Sequence, residues 1–478
     1  MTQDPGRRRT KIVATLGPAT SEPDAIRNVL AAGVDVVRLN LAHDDAQGHE
    51  RNARLARDTA TELERVVGVL VDLPGPKMRT GPIAGDVAFL RAGGHFTLTQ
   101  KVVEGSSECV STSVKGLAGM VSRGNTIYLA DGAIVLEVES TDDDDVRTSI
   151  LRGGALRSRK GMHVPQAEGA VQAFSTGDRR ALDLGLRLEA DLVGVSFVRD
   201  ARDVKRVRAE LPDAECRPLL VAKIETSSAV DHLDEIISEA DAVMVARGDL
   251  GIQTPLRSVA MLQKEIIEAC NKAGKAVITA TQMLESMTRA PLPTRAEVAD
   301  VANAVLDGTD ALMLSEETAI GDYPAETVAT MADIALSAET RPGSSEKPSP
   351  KDRHDDRVSW AVARAAVNAA EDVAVAAIVC PTRTGSTPRR VAAFRPTMPI
   401  IGLSGDETTI GALALAWGVI PVRVPSMYEA KDTREEVERA TLACRRASLA
   451  QPGQLVAVVA GSPGPRAGRT DYVRIARV

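Results

Sequence analysis

Aromatic residues are scarce in this chain of 478 residues: five Phe, four Tyr and two Trp make up 2% of it. Its core must be assembled from Val, Leu, Ile and Ala, and there are too few rings for a surface on which nucleobases stack. Long basic blocks are missing too. With 58 basic against 65 acidic residues the net charge is −7, so nothing is shaped to neutralise a phosphate backbone, and nucleic acid is not an expected partner. No apolar run approaches the roughly 18 residues of a membrane span, and the N-terminal stretch through Arg7, Arg8 and Arg9 has no apolar signal core. The expectation is a cytoplasmic protein without membrane contact. The five cysteines (Cys109, Cys216, Cys270, Cys380, Cys444) show no Cys-x-x-Cys spacing and read as reduced core thiols.

What is present is a globular composition, 44% hydrophobic and 26% charged, long enough for several domains. From Lys11 onward short aliphatic runs alternate with longer amphipathic stretches, the rhythm of βαβ units. The first helix is expected to be capped by Ser21, to carry Pro23 and Asp24 in its first turn and to stop at Gly33. Strands are expected at Lys11–Thr15, Val34–Leu39, Val67–Asp72, Leu192–Ser196, Leu219–Lys223, Ala242–Ala246, Ala276–Ala280 and Ala311–Leu314. Eight parallel strands with right-handed crossovers close most naturally into a (β/α)8 barrel.

The connection after the third strand is too long for a loop and predicts an inserted β-rich domain, a small barrel or sandwich. The acidic run Asp142–Asp145 within it reads as a solvated hairpin tip. A polar, Pro- and Ser-containing stretch then reads as a linker, and four further strand runs with helices between them predict a second, open α/β domain. The fold class is therefore α/β, with barrel segments at 1–81 and 166–340, the insert at 82–165, the linker at 341–357 and the C-terminal domain at 358–478.

In such a barrel, chemistry collects where strands run out into βα loops. Strand two runs out in Arg38 and Asn40, strand three in Asp72 with Lys77 and Arg79 beyond, and strand five in Lys223 and Glu225. Strand six runs out in Gly248 and Asp249, seven in Thr281 and eight in Ser315. Guanidinium and ammonium groups suit phosphoryl oxygens, and the carboxylates of Glu225 and Asp249 suit a hard divalent cation such as Mg²⁺ or Mn²⁺. Phosphoryl transfer needs little beyond positioning and charge neutralisation. There is no Walker loop, and the six histidines do not pair at metal-ligand spacing. His43 lies just past the strand-two rim, whereas His49, His95, His163, His232 and His354 read as surface or helix residues.

These residues sit in segments that resemble the pyruvate kinase family over nearly the whole chain: RTKIVATLGPAT from Arg9, VVRLNLAH from Val36, GPKMRTG from Gly75, LVAKIETSSAV from Leu220, VMVARGDLGI from Val243, ATQMLESM from Ala280 and PTRAEVADVANAVLDGTDALMLSEET from Pro293. The resemblance implies transfer of a phosphoryl group from phosphoenolpyruvate to ADP, giving pyruvate and ATP, in a homotetramer whose insert acts as a lid. It implies that Arg38 and Lys223 hold the phosphoryl group, that Glu225 and Asp249 ligate Mg²⁺, and that Gly248, Asp249 and Thr281 contact substrate. Thr281, together with Ser315, would relay the proton that completes pyruvate. Asn40, His43, Arg79 and Lys160 would face the nucleotide. The loop Thr382, Thr384, Gly385, Ser386 and Thr387 would correspond to a site for a sugar-phosphate or nucleotide effector, although a plain helix-capping turn reads equally well.

The departures from the family pattern are informative. Places where many relatives carry potassium ligands hold Ala42, Leu73 and Lys77, so the Lys77 ammonium, beside Asp72, is expected to replace the monovalent cation and to make potassium unnecessary. Glu316, Ala130 and the stretch from Val164 to Glu168 also differ from the usual pattern. Two other readings stand beside the kinase: a metal-dependent barrel aldolase or decarboxylase acting on pyruvate-like substrates, and a catalytically weak homologue kept as a metabolite-binding regulator.

Overall fold

The computed structural model describes residues 7–43, 45–75, 78–130, 132–165, 174–341, 347–349, 356–462 and 469–478. Eight parallel strands close into a barrel: Lys11–Thr15, Val36–Asn40, Gly68–Asp72, Leu192–Val195, Leu219–Ile224, Ala242–Ala246, Ala276–Ala280 and Ala311–Leu314. The first pairs with the eighth in the register Lys11↔Ala311 to Ala14↔Leu314, which completes the ring. Strand two starts later than the aliphatic run suggests because Asp35 turns its carboxylate back onto the Ile12 N–H at 2.9 Å. The first helix, Pro23–Ala32, is preceded by Glu22 and not capped by Ser21, whose hydroxyl donates to the Pro18 carbonyl instead; Gly33 ends it at φ +126. The return from the insert starts on the helix Thr176–Arg187, where Ser175 and Asp178 form a reciprocal capping box.

The insert packs a six-stranded sheet and a two-stranded sheet around one hydrophobic core that includes Phe96, Leu98, Ile127, Ile134 and Leu136. Its acidic run forms the tip between strands Ile134–Thr141 and Asp145–Arg152, with Asp142 accepting from the Asp144 and Asp145 N–H groups. The C-terminal sheet has five strands, ordered Val419–Arg423, Ile400–Ser404, Ala377–Pro381, Leu455–Ala460 and Tyr472–Arg477. The last is an antiparallel edge strand that the sequence reading lacked.

The two large domains are locked at the bottom of the barrel. Ala414 and Leu415 of the C-terminal domain join the cluster that fills the barrel interior, with Val13, Leu70, Val221 and Met244. Lys11 Nζ donates to the Val419 carbonyl at 2.7 Å, and the Gly418 N–H donates to the Arg9 carbonyl at 3.0 Å. The floor is thereby plugged, and only the opposite mouth opens toward the insert. Among the described residues no helix is long and apolar enough to cross a membrane.

Candidate active site

At the C-terminal mouth, four ionisable side chains, two basic and two acidic, alternate in sign. Arg38 on strand two places Nε and Nη2 on Asp72 Oδ2 at 2.9 and 2.6 Å, and Nη1 on Thr15 Oγ1 at 3.0 Å. Asp72, the last residue of strand three, also faces Lys223 Nζ at 3.2 Å. Lys223 continues to Glu225 Oε1 at 2.9 Å and to Ser196 Oγ at 2.8 Å. All four are buried, and burying such charges is tolerable only because each is opposed by its neighbour. Gly194 makes room for the chain, since a Cβ there would stand 2.8 Å from Asp72 Oδ1.

The electrostatics are uneven along this chain. Burial works against the charge of Lys223, but Asp72 and Glu225 outweigh it and raise its pKa, so it stays an ammonium. Burial also opposes ionisation of Asp72, yet Lys223 and Arg38 hold its pKa below the usual value. Glu225 is the exception: burial, reinforced by the like charge of Asp249, pushes it up to about 7 in spite of Lys223 and the Phe197 N–H, which donates to Glu225 Oε2 at 2.6 Å. A pair of hard carboxylates that repel one another beside an open cavity fits a divalent cation, which favours one or two protein carboxylates with substrate oxygens completing its shell.

Thr281 forms the opposite wall. It adopts φ +70, a left-handed conformation that a β-branched residue rarely takes, and Gln282 follows at φ +53. Its Oγ1 accepts from the Gly248 N–H at 2.8 Å and donates to the Ala280 carbonyl at 2.6 Å. The turn is held by Arg247, whose Nη2 donates to the Thr281 carbonyl at 2.6 Å while Nη1 pairs with Asp300 Oδ2 at 2.7 Å. The Ser315 N–H donates to Glu317 Oε2 at 2.7 Å, and the Leu284 N–H to Glu317 Oε1 at 3.2 Å, so Glu317 ties the seventh and eighth loops together; Glu316 is exposed.

One cavity therefore gathers Arg38, Asn40, Asp72, Lys223, Glu225, Asp249, Thr281 and Ser315. Gly248 meets it through its contact with Thr281. His43 does not line it; its N–H donates to the Asn40 carbonyl and its own carbonyl contacts His49 Nε2 at 2.7 Å. Arg79 and Lys160 sit together where the insert leaves and rejoins the barrel, with Arg79 bridged to Gly161 and its Nη1 on the Arg159 carbonyl at 3.1 Å. Lys77 lies outside the described residues, as do Asp131 and residues 166–168. Ala42 places its N–H on Asn40 Oδ1 at 3.3 Å, and Leu73 is buried in the barrel core.

Sequence reasoning missed Ser196, Phe197 and Gln253, and it read Arg247 only as one more polar residue at the strand-six rim, without its hold on the Thr281 turn. Gln253 joins the insert to the strand-five loop: its Oε1 accepts from the Ser227 N–H and its Nε2 meets His163 Nδ1, both at 3.2 Å. His163 is neither a surface nor a helix residue. It lies on the insert strand Met162–His163, stacked on Tyr128, and burial pushes its pKa down to about 4. The ring is thus neutral at pH 7, and its Nδ1 can accept from the amide.

Fold and site together define a class, a barrel enzyme that transfers phosphoryl groups. A family model described as "Pyruvate kinase, barrel domain" matches residues 7–328, and one described as "Pyruvate kinase, alpha/beta domain" matches residues 360–476. The pyruvate kinase of Thermococcus litoralis is 41% identical over 89% of this chain and 90% of its own length, and that of Geobacillus stearothermophilus is 39% identical over 98% and 80%. A crystal structure of a pyruvate kinase from Cryptosporidium parvum, 32% identical, superposes with a TM-score of 0.88 over all of this chain and 97% of that one. The chain belongs to the pyruvate kinase family.

Proposed function

We propose that the mouth of the barrel transfers the phosphoryl group of phosphoenolpyruvate to ADP, with Lys223, Arg38 and Thr281 as the groups that contact reacting atoms. The observation that carries this reading is the alternating chain Arg38–Asp72–Lys223–Glu225, which fixes two cations where phosphoryl charge would develop. Transfer breaks the bond between the phosphoryl phosphorus and the enol oxygen and forms one to a terminal oxygen of ADP. The electron pair left on the enol oxygen makes an enolate, and protonation of its methylene carbon gives pyruvate. Lys223, held as an ammonium, lies where it can stabilise that enolate and the moving phosphoryl group, at no reorganisation cost. Arg38 offers planar N–H donors to the equatorial oxygens. Thr281, immobilised by the Gly248 N–H and by its own strained backbone, brings its hydroxyl to the cavity wall, where the proton it gives to the Ala280 carbonyl would have to turn toward the methylene carbon to be relayed; Ser315 borders the same cavity as a second hydroxyl.

Glu225 and Asp249 would hold Mg²⁺ or Mn²⁺, which supplies charge neutralisation and polarisation of phosphoryl oxygens when bound. Asn40, His43, Arg79 and Lys160 are assigned to the nucleotide side, where closure of the insert would exclude water from the transferring group. The Lys77 ammonium is assigned, with Asp72, the place of a monovalent cation. The hydroxyls of the Thr382–Thr387 loop would serve a sugar-phosphate or nucleotide effector, and the working unit is taken as a cytoplasmic homotetramer. No separate observation favours an aldolase, a decarboxylase or a silent regulator.

The test is pyruvate formation from phosphoenolpyruvate, ADP and Mg²⁺, with sodium or potassium as the sole monovalent cation at equal ionic strength. Equal rates are expected. A steep rise with potassium would remove the role given to Lys77, and no turnover in either from folded protein would overturn the catalytic assignment.

A further inference from the structure

The two cations of the mouth are not equally free. A guanidinium carries five N–H groups and an ammonium three. Among the described residues Arg38 commits three of its five, two to Asp72 Oδ2 and one to Thr15 Oγ1, which leaves two for a ligand. Lys223 has none left: Nζ lies 2.8 Å from Ser196 Oγ, 2.9 Å from Glu225 Oε1 and 3.2 Å from Asp72 Oδ2, one acceptor for each N–H. A phosphoryl oxygen therefore gains an N–H of Lys223 only when one of these partners lets go.

The three partners differ in what else they can do. Glu225 is the carboxylate also assigned, with Asp249, to a divalent cation, so it has a second partner to turn to. Asp72 is anchored by Arg38 on the same oxygen that faces Lys223. Ser196, the residue after strand four, is 3% exposed, and its own proton goes to the Leu73 carbonyl at 2.7 Å, with Asp72 Oδ1 farther off at 3.4 Å. A hydroxyl whose proton is committed in that direction presents only lone pairs to the ammonium. Thr15 is built the same way behind Arg38: its Oγ1 accepts from Nη1 at 3.0 Å and donates to the Leu314 carbonyl at 2.9 Å.

The turn that carries Ser196 is braced from outside. Phe197 adopts φ +53 and gives its N–H to Glu225 Oε2, so two consecutive residues grip both members of the Lys223–Glu225 pair. Gly75, on the strand-three loop that leads toward the insert, packs against them; a Cβ on it would stand 2.7 Å from the Phe197 ring and 2.8 Å from Ser196 Cβ. The Leu73 N–H donates to the Gly194 carbonyl at 3.0 Å, so the exits of strands three and four are joined where Lys223 is held.

We propose that Ser196 is a positioning residue for phosphoryl transfer: with Asp72 it holds Lys223 Nζ in place while the N–H now on Glu225 is handed to the substrate. Without the Ser196 acceptor the ammonium, on its flexible four-carbon stem, is free to pivot between the two carboxylates. Ser196 has this role only on the phosphoryl-transfer reading given above, and it acts there through Lys223 alone.

Ser196→Ala and Ser196→Cys test the role, the second because a thiol fills nearly the same space but accepts weakly. In both, kcat for pyruvate formation from phosphoenolpyruvate, ADP and Mg²⁺ should fall about ten- to hundredfold, the penalty of a misplaced reacting group. KM for phosphoenolpyruvate and the calorimetric affinity for Mg²⁺ should stay within about twofold of the parent, as for a contact that matters in the transition state. All rates are taken on folded protein below the Tm of each variant. In Lys223→Met, adding Ser196→Ala should cost less than about a further twofold, because residues that act as a unit are not additive. A further loss as large as in the parent would place the action of Ser196 elsewhere and overturn the proposal. A Ser196→Cys enzyme as fast as the parent, or a rise in KM that accounts for the whole loss, would overturn it too. Normal turnover in Ser196→Ala removes the Ser196 role alone, whereas no turnover by the folded parent removes the phosphoryl-transfer reading and this role with it.

Discussion

The barrel carries carboxylates at both rims, and they do different work. At the floor, Asp35, Asp191, Asp241 and Asp310 each precede a strand and turn back onto a main-chain N–H of a neighbouring strand: Ile12 at 2.9 Å, Val69 at 2.7 Å, Leu220 at 2.9 Å and Val277 at 2.8 Å. They satisfy donors left unpaired where the ladder begins. At the mouth, Asp72 and Glu225 bind Arg38 and Lys223, and Asp249 faces the cavity. Cations are found at both rims, since Asp35 pairs with Arg8, Asp241 with Arg208 and Asp310 with Arg395; what separates the rims is that the floor carboxylates close the strand starts, whereas those at the mouth line a cavity and keep oxygens and charge within reach of a ligand.

The comparison can be broken most sharply at Lys223. Lys223→Met is expected to lower kcat by roughly 10²–10³-fold or more, while phosphoenolpyruvate and Mg²⁺ binding, followed by calorimetry, stay close to those of the parent. Substantial residual turnover would remove Lys223 from the chemistry.

A smaller effect is expected where the insert meets the mouth. Gln253→Ala deletes the bridge between the Ser227 N–H and His163, each contact worth about 1 kcal/mol. KM for ADP should rise up to about tenfold with kcat changed little, and ADP should protect the insert from proteolysis less well. A fall in kcat at constant KM would mean that Gln253 acts on the barrel alone.

The smallest effect belongs to the floor. Burial pushes Asp191 up to about 7, against the Val69 N–H, and Glu407 and Asp406 add to the rise. A carboxyl whose folded pKa exceeds its unfolded value contributes stability that is full below about 4 and lost as pH climbs through about 7. Asp191→Asn should therefore gain on the parent in Tm between pH 5 and 8, with kcat unaffected. A Tm difference that stays flat with pH would show that Asp191 is ionised throughout.

The barrel was legible because its strands are continuous aliphatic runs, buried on both faces and ended by polar residues; four of them, Lys11–Thr15, Ala242–Ala246, Ala276–Ala280 and Ala311–Leu314, begin and end where those runs do. The edge strand Tyr472–Arg477 was not, because it is largely exposed and has no such run. At the mouth, side-chain types announced Lys223, Glu225 and Asp249. The Phe197 N–H and the φ of Thr281 are backbone properties without a sequence signature, and Arg247 looked like one more rim cation until its hydrogen bonds to the Thr281 turn were visible.

The most direct test pairs one carboxylate from each rim, measuring Tm, Mg²⁺ affinity and turnover in Asp249→Ala and Asp35→Ala. Asp249→Ala should keep Tm and lose Mg²⁺ binding and turnover, whereas Asp35→Ala should lose about 1–3 kcal/mol of stability and keep the turnover of its folded fraction. Unchanged Mg²⁺ affinity in Asp249→Ala, or loss of turnover in folded Asp35→Ala, would contradict the division of labour between the rims.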